Sequence, residues 1–130
     1  MKSVIMPLAV ASLLLMAQPA AATEVAGAWR VTGKVAAFAF TLNCRFTTAG
    51  GRIAGVCVDA STSDARAPAG QSHVLTAGTV DGDAVSWTYR SSFLLSKFDV
   101  TYRGRLTGDR ISGSIKAAGR DGVFTAVRIS

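Results

Sequence analysis

Apolar and polar residues alternate along most of the chain in short runs that end at glycine or aspartate. A period of two residues is typical of strands with one buried face, and the glycines and aspartates between the runs predict tight turns. Beyond residue 22 no run has the 3.6-residue period of an amphipathic helix. The pattern predicts an all-β domain of eight strands, at about residues 27–34, 36–48, 52–60, 71–80, 84–92, 97–107, 110–118 and 123–129.

Three two-residue turns predict how neighbouring strands pair. Gly50-Gly51, Gly82-Asp83 and Gly108-Asp109 suit primed hairpin turns, which require positive φ. Counting outward from the last two turns gives these partners: Leu106 with Ile111, Gly104 with Gly113, Tyr102 with Ile115, Val80 with Val85, Gly78 with Trp87, and Thr76 with Tyr89. Apolar residues then meet on one face and polar residues on the other, as a half-buried sheet requires.

The three hairpins also resemble one another in sequence. The segments around Gly82-Asp83 and Gly108-Asp109 carry similar residues in the same order, and the segment around Gly50-Gly51 is a weaker copy. Repeated hairpins favour a meander, in which each strand pairs with its sequence neighbours. Eight such strands close most economically into an antiparallel up-and-down barrel, because closure leaves no exposed edge. A two-sheet sandwich is the alternative.

The first 22 residues have a different pattern from the rest. Lys2 precedes an apolar run at 4–16, and Ala20–Ala22 follow Pro19. A basic start, an apolar run of this size and an Ala-x-Ala ending predict a secretory signal peptide, and the run is too short for a transmembrane helix. We therefore expect cleavage after Ala22, a periplasmic or secreted protein, and one barrel domain over 23–130.

Cys44 and Cys57 are the two cysteines of the chain, and the first hairpin places them opposite each other. They fall at a non-hydrogen-bonded position, where the two strands lie closest and a disulfide is within reach. In an oxidising compartment we expect the bond to form. Neither a second cysteine pair nor a flanking histidine accompanies them, so the sequence indicates no metal site.

The formal net charge of +6 first raises the question of an anionic partner. A basic surface can meet nucleic acid, anionic lipid or lipopolysaccharide. The arginines, however, are scattered along the chain rather than clustered, and an exported protein rarely meets nucleic acid. We expect no nucleic-acid partner.

Groups suited to acid–base or nucleophilic catalysis are few. His73 is the single histidine, and the alternation places it on the outer face of its strand. Most aspartates fall in turns or loops, where they serve the backbone. A Ser–His–Asp arrangement through His73 is the open alternative, but no nucleophile motif or phosphate-binding loop accompanies it. The sequence predicts a protein that is not an enzyme and has no cofactor or metal.

The inward face is the better candidate for a site. Phe46 is expected to cover Gly55, whereas Gly104 opposite Gly113 has no aromatic cover, which leaves either a vacancy or a tight bend. A filled core is the competing interpretation, because eight strands enclose a volume that side chains alone can fill. The predicted ligand-binding residues are Trp29, Phe40, Trp87, Tyr89, Phe98, Tyr102, Gly104 and Gly113.

Several segments carry a resemblance to known families. Gly27-Ala28-Trp29 resembles the Gly-x-Trp opening of lipocalins and avidins, which are eight-stranded up-and-down barrels. The hairpins at 82–86 and 102–113 and the ending at 122–128 look like those of a group of small exported bacterial proteins. The resemblance implies an interior pocket for a small apolar or amphipathic ligand. Arg30, Val31 and Thr32 stand where avidins place polar biotin ligands, so it does not extend to biotin.

Small exported barrels with one disulfide also include inhibitors of proteases. The resemblance therefore leaves a second role open, in which the barrel binds a protease or an envelope protein. Such a protein would act through its loops, above all 60–70, whereas a ligand-binding barrel would use its interior. The oligomeric state is not indicated by the sequence.

Overall fold

The computed structural model describes residues 24–64 and 69–130 as a closed barrel of eight antiparallel strands in the order of the sequence. The strands are β1 (Gly27–Val35), β2 (Phe38–Ala49), β3 (Arg52–Thr62), β4 (Ser72–Asp81), β5 (Ala84–Phe93), β6 (Ser96–Thr107), β7 (Arg110–Ala117) and β8 (Arg120–Arg128). Pairing of β1 with β8, from Trp29↔Arg128 to Val35↔Gly122, closes the sheet. The predicted fold class is confirmed, and the sandwich alternative is wrong.

The N-terminal segment and membrane-spanning helices are considered next to the barrel itself. The predicted signal peptide at 1–22 lies outside the described residues. Within the part of the chain that the structure describes, no helix is long and apolar enough to cross a membrane.

The turns set the pairing as the sequence predicts along β6–β7, and along β2–β3 as far as Leu42↔Asp59, beyond which the register shifts by one residue. Leu106↔Ile111, Gly104↔Gly113 and Tyr102↔Ile115 are partners in β6 and β7, and Phe46↔Gly55 and Cys44↔Cys57 are partners in β2 and β3. The first residue of each turn has the positive φ that a primed turn demands, 57° at Gly50, 60° at Gly82 and 61° at Gly108.

The β4–β5 hairpin departs from the prediction part of the way along. Val80↔Val85 and Gly78↔Trp87 pair as expected, but the register then shifts, so that Leu75 and not Thr76 is the partner of Tyr89. A bulge places one extra residue in β4 and exchanges the inner and outer faces beyond it. Thr76 is therefore exposed, and the predicted pairing of Thr76 with Tyr89 is wrong.

The same bulge corrects the predicted position of His73. In place of the outer face, this side chain lies inside the barrel with 7% of its surface exposed. The register counted from the Gly82-Asp83 turn contains no bulge. It therefore predicts the wrong face for the β4 residues that precede the bulge in the sequence.

The two ends of the barrel differ in how they are filled. The closed end, defined by the turns Gly50-Gly51, Gly82-Asp83 and Gly108-Asp109, is packed by an aromatic cluster of Phe46, Trp87, Tyr102 and Phe124. Trp87 stacks on Tyr102 with 4.9 Å between ring centroids, and Phe124 meets both rings edge to face at 5.3 and 5.2 Å. Val25, before β1, is fully buried in the same core.

The predicted vacancy beside Gly104 and Gly113 is not there. Phe124 is the β8 partner of Gly113, and its ring lies 3.0 Å from the point where a Cβ on Gly104 would stand. A Cβ on Gly113 would collide with the carbonyl oxygen of Arg103. The glycines allow β6 and β7 to approach closely, and the aromatic cover comes from the next strand along.

Cys44 and Cys57 form the predicted disulfide across β2 and β3, and both are buried. They are 13 residues apart in sequence, so the bond closes a short loop in the unfolded chain. The Cys44→Ala/Cys57→Ala variant should lose about 3 kcal/mol of the free energy of unfolding on the chain-entropy model. Urea unfolding measures this loss. Reductant should bring the wild type to the stability of the variant, and equal stability without reductant would contradict the prediction.

The close approach at the glycine pair gives a second prediction. Gly113→Ala should lower the free energy of unfolding by about 1–3 kcal/mol or more, because the new methyl group meets backbone that cannot move aside. Ser114→Ala is the matched control, since Ser114 is exposed on the same strand. Chemical unfolding of both variants should leave the control within about 0.5 kcal/mol of the wild type. A Gly113→Ala protein as stable as the control would show that the strands are not held this close.

Candidate functional site

The end of the barrel opposite the closed end contains a cavity of about 600 Å³. We call this the mouth end. The turns Ala36-Ala37, Leu94-Leu95 and Ala118-Gly119 lie at this end, and Thr62, Asp64 and Gln71 also line the cavity. A volume of this size is typical of sites for small organic ligands, which span roughly 300–1,000 Å³.

Most of the cavity wall is apolar. These side chains come from β2, β6 and β7 and belong to the inward faces of those strands: Phe38, Phe40, Leu42, Phe98, Val100 and Ala117. Leu42 and Val100 are buried, whereas the three phenylalanines are half-buried around the opening. Small inward residues such as Ser91 and Ala117 leave the space that larger side chains would fill.

A partly buried ion pair lies at the floor of this cavity. His73 Nε2 is 3.0 Å from Asp59 Oδ2, and the two side chains are 7% and 17% exposed. Asp59 is the partner of Leu42, one inward position nearer the mouth than the disulfide, and His73 is the β4 partner of Cys57. The Asp59–His73 pair therefore forms the floor of the cavity, beside the buried disulfide.

The hydrogen bond with Asp59 raises the pKa of His73 above its ordinary 6.5. Burial acts in the opposite direction, and the negative charge of Asp59 and a hydrogen bond with the backbone of Arg90 add to the rise. The pair thus favours a protonated imidazole beside a carboxylate at a depth where an unpaired charge would be costly.

Two tyrosines extend the polar groups from the floor into the core. The ring of His73 stacks on Tyr89 with 4.6 Å between centroids, and the hydroxyl of Tyr89 is hydrogen-bonded to that of Tyr102 at 2.6 Å. Burial raises the pKa of both phenols above their usual range, so both remain neutral at ordinary pH. Asp59, His73, Tyr89 and Tyr102 therefore form a continuous line of polar groups from the cavity into the core.

The structure divides the predicted ligand-binding residues between the two ends. Phe40, Tyr89 and Phe98 line the cavity. Trp29, Trp87 and Tyr102 are fully buried core residues, and Gly104 and Gly113 lie under Phe124. The indole N–H of Trp29 donates to the carbonyl of Val25 at 2.8 Å, whereas within the described residues that of Trp87 has no partner.

The positions of Asp59 and His73 at the cavity floor were not predicted from the sequence. The inward orientation of Asp59 could have been predicted, because Asp59 lies two residues after Cys57 on the same strand and therefore points to the same side. That of His73 could not, because nothing in the run of residues 72–80 marks the bulge that turns it inward. The described residues contain no group of three or more side chains suited to hold a metal ion.

No protein-family model matches the chain, and no curated protein matches it either.

The ion pair at the floor predicts a pH dependence of stability. Because the folded-state pKa of His73 is above 6.5, the pair contributes its full stabilisation below about pH 6.5 and loses it as pH rises through the folded-state pKa. Asp59→Asn should flatten this decline. The free energy of urea unfolding, measured between about pH 5 and pH 9, tests the prediction. Asp99→Asn, at an exposed strand position, should keep the wild-type profile, and a profile equally flat in both variants would count against the pair.

Proposed function

We propose that this protein is a non-catalytic barrel that binds one small amphipathic molecule in the cavity at its mouth end. The observation that carries the proposal is an apolar cavity of about 600 Å³ with a buried Asp–His pair at its floor. Ligand sites combine an apolar wall with a few well-placed polar groups that orient the guest.

The wall and the floor suggest different parts of the ligand. Phe40, Phe98 and Val100 suit an aliphatic or aromatic body that enters from the mouth. At the floor, Asp59 uses one carboxylate oxygen on His73, and an ionised carboxylate can accept further hydrogen bonds. A hydroxyl or amine at the leading end of the ligand would supply the donor.

The contacts of His73 favour binding over catalysis. Its hydrogen bonds go to Asp59 and to the backbone of Arg90, so its ring is fixed by the protein itself. Both cysteines are joined in the disulfide, so neither offers a thiolate. A general base in a triad must instead face a nucleophile within hydrogen-bond reach.

The proposal includes export and membership of the lipocalin-like or avidin-like barrels. The disulfide supports the first, because such bonds persist in oxidising compartments. The closed up-and-down barrel of eight strands supports the second. Under this proposal the interior, and not the connection at 60–70, is the binding site.

Blocking the cavity tests the proposal. Ser91 lines it from β5, so Ser91→Trp should fill the space that a ligand needs. With 1-anilinonaphthalene-8-sulfonate as the probe, titration should show saturable binding to the wild type and at least about tenfold weaker binding to the variant. The matched control is Ser114→Trp, because Ser114 is exposed on the outer face of β7.

The control decides between the cavity and other surfaces. Wild-type affinity in Ser114→Trp together with loss in Ser91→Trp would support an interior site. Equal affinity in all three proteins would place the probe elsewhere and overturn the proposal. Native mass spectrometry of protein from its own host, before and after lipid extraction, would then identify a natural guest by its mass.

A further inference from the structure

The turns at the two ends of the barrel differ in chemistry. The closed end has Gly50-Gly51, Gly82-Asp83 and Gly108-Asp109, which are polar or without side chains. The mouth end has Ala36-Ala37, Leu94-Leu95 and Ala118-Gly119, none of which carries a charge or a hydrogen-bonding side chain. The apolar turns therefore surround the opening of the cavity.

The Leu94-Leu95 turn is the most apolar of these and also the most exposed. Leu95 is 102% exposed and Leu94 is 73% exposed, the two highest values among the exposed large apolar side chains of the described residues. Single exposed leucines are common on soluble proteins, but adjacent ones at the tip of a hairpin form a projecting apolar point.

The backbone of this turn gives a second reason to ask what the leucines do. Leu94 has φ of 58°, a left-handed conformation in which glycine or asparagine would be favoured. The corresponding positions at the closed end are glycines. Leucine here adds both backbone strain and exposed apolar surface, and strained positions that persist are often functional.

The charged groups near the mouth favour an anionic partner. Lys97 follows the turn on β6, Lys34 stands one residue before the end of β1, and Arg120 begins β8 at the cavity rim. All three side chains are exposed. Of the acidic groups at this end, Asp121 lies 4.0 Å from Lys116, and Asp99 is the cross-strand partner of Arg90. Lys97, Lys34 and Arg120 thus give this end of the barrel exposed basic groups around the Leu94-Leu95 turn.

We propose that the mouth end docks on an anionic phospholipid bilayer, with Leu94 and Leu95 inserted among the acyl chains and Lys97 and Arg120 at the headgroups. Exposed apolar tips gain free energy by entering the acyl region, and basic groups near an anionic surface add to binding. This orientation opens the cavity toward the lipid. The inference concerns the outer surface and does not rest on ligand binding in the cavity.

Vesicle co-sedimentation tests the docking site. The probes are vesicles of phosphatidylcholine with about 30% phosphatidylglycerol, and vesicles of phosphatidylcholine alone. The variant Leu94→Asn/Leu95→Ser should lower the partition coefficient on the anionic vesicles at least about tenfold, given the apolar surface of two leucines. Asparagine is chosen because it tolerates the left-handed backbone of position 94.

Two further variants separate insertion from charge and from general surface effects. Lys97→Gln should weaken binding to the anionic vesicles about fivefold and leave binding to phosphatidylcholine unchanged. Val74→Ser is the matched control, because Val74 is 67% exposed on β4 and lies away from the turn. Near-UV circular dichroism should show that each variant keeps the wild-type fold.

Loss of vesicle binding in the leucine variant, with wild-type binding in Val74→Ser, supports the docking site. Absence of binding by the wild type, or equal binding by the leucine variant, overturns it. A wild-type dimer that becomes monomeric in the leucine variant, without vesicle binding, also overturns it in favour of a second copy as the partner. Ser91→Trp should bind vesicles like the wild type, so failure of the cavity site and failure of the docking site give different results.

Discussion

Hydrogen bonding between β1 and β8 is the constraint on which the rest of the structure depends. It joins the ends of an eight-stranded meander, so that every strand has two partners and the sheet has no open edge. Once the sheet is closed, alternate residues of every strand must point into one enclosed volume. Arg128 holds this seam at the closed end, where it lies over the ring of Trp29, donates to the carbonyl of Ala26 and bonds Asp109.

The enclosed volume is filled unevenly, and that unevenness produces the site. At the closed end, Phe46, Trp87 and Phe124 are each the cross-strand partner of a glycine, so the backbones approach closely and the rings fill the space between them. Toward the mouth, inward positions such as Ser91 and Ala117 are small, and the phenylalanines stand around the opening. Along β2 and β3 the buried disulfide lies between Phe46 of the aromatic cluster and Asp59 of the cavity.

The sequence predicted what depends on period and turn chemistry. Glycine turns set the β2–β3 and β6–β7 registers, and from those the disulfide and most of the core followed. The cover over Gly113 was missed because the β7–β8 turn, Ala118-Gly119, has alanine at the position of positive φ and was not recognised as a primed turn. Counting from it would have paired Gly113 with Phe124.

The orientation of His73 could not be predicted from alternation and turn residues, because it depends on a single extra residue in β4. Thr76 and Ala77 at the bulge fit an exposed or a half-buried strand equally well. A one-residue shift reverses the face of every position on the far side of the bulge from the turn. The alternation of apolar and polar residues then places His73 on the wrong face even though the strand is predicted correctly.

The bulge also explains why a charged pair lies inside an otherwise apolar barrel. A buried ion pair adds little net stability compared with well-packed apolar residues, because removing two charges from water is costly. The Asp59–His73 pair is therefore poorly explained as a core element, and its place in the fold argues for another role. It lines the cavity beside Tyr89, next to the buried disulfide. Under the proposed function, an apolar wall alone would hold any hydrophobe of suitable size, whereas a carboxylate at its floor would select a guest that brings a donor with it.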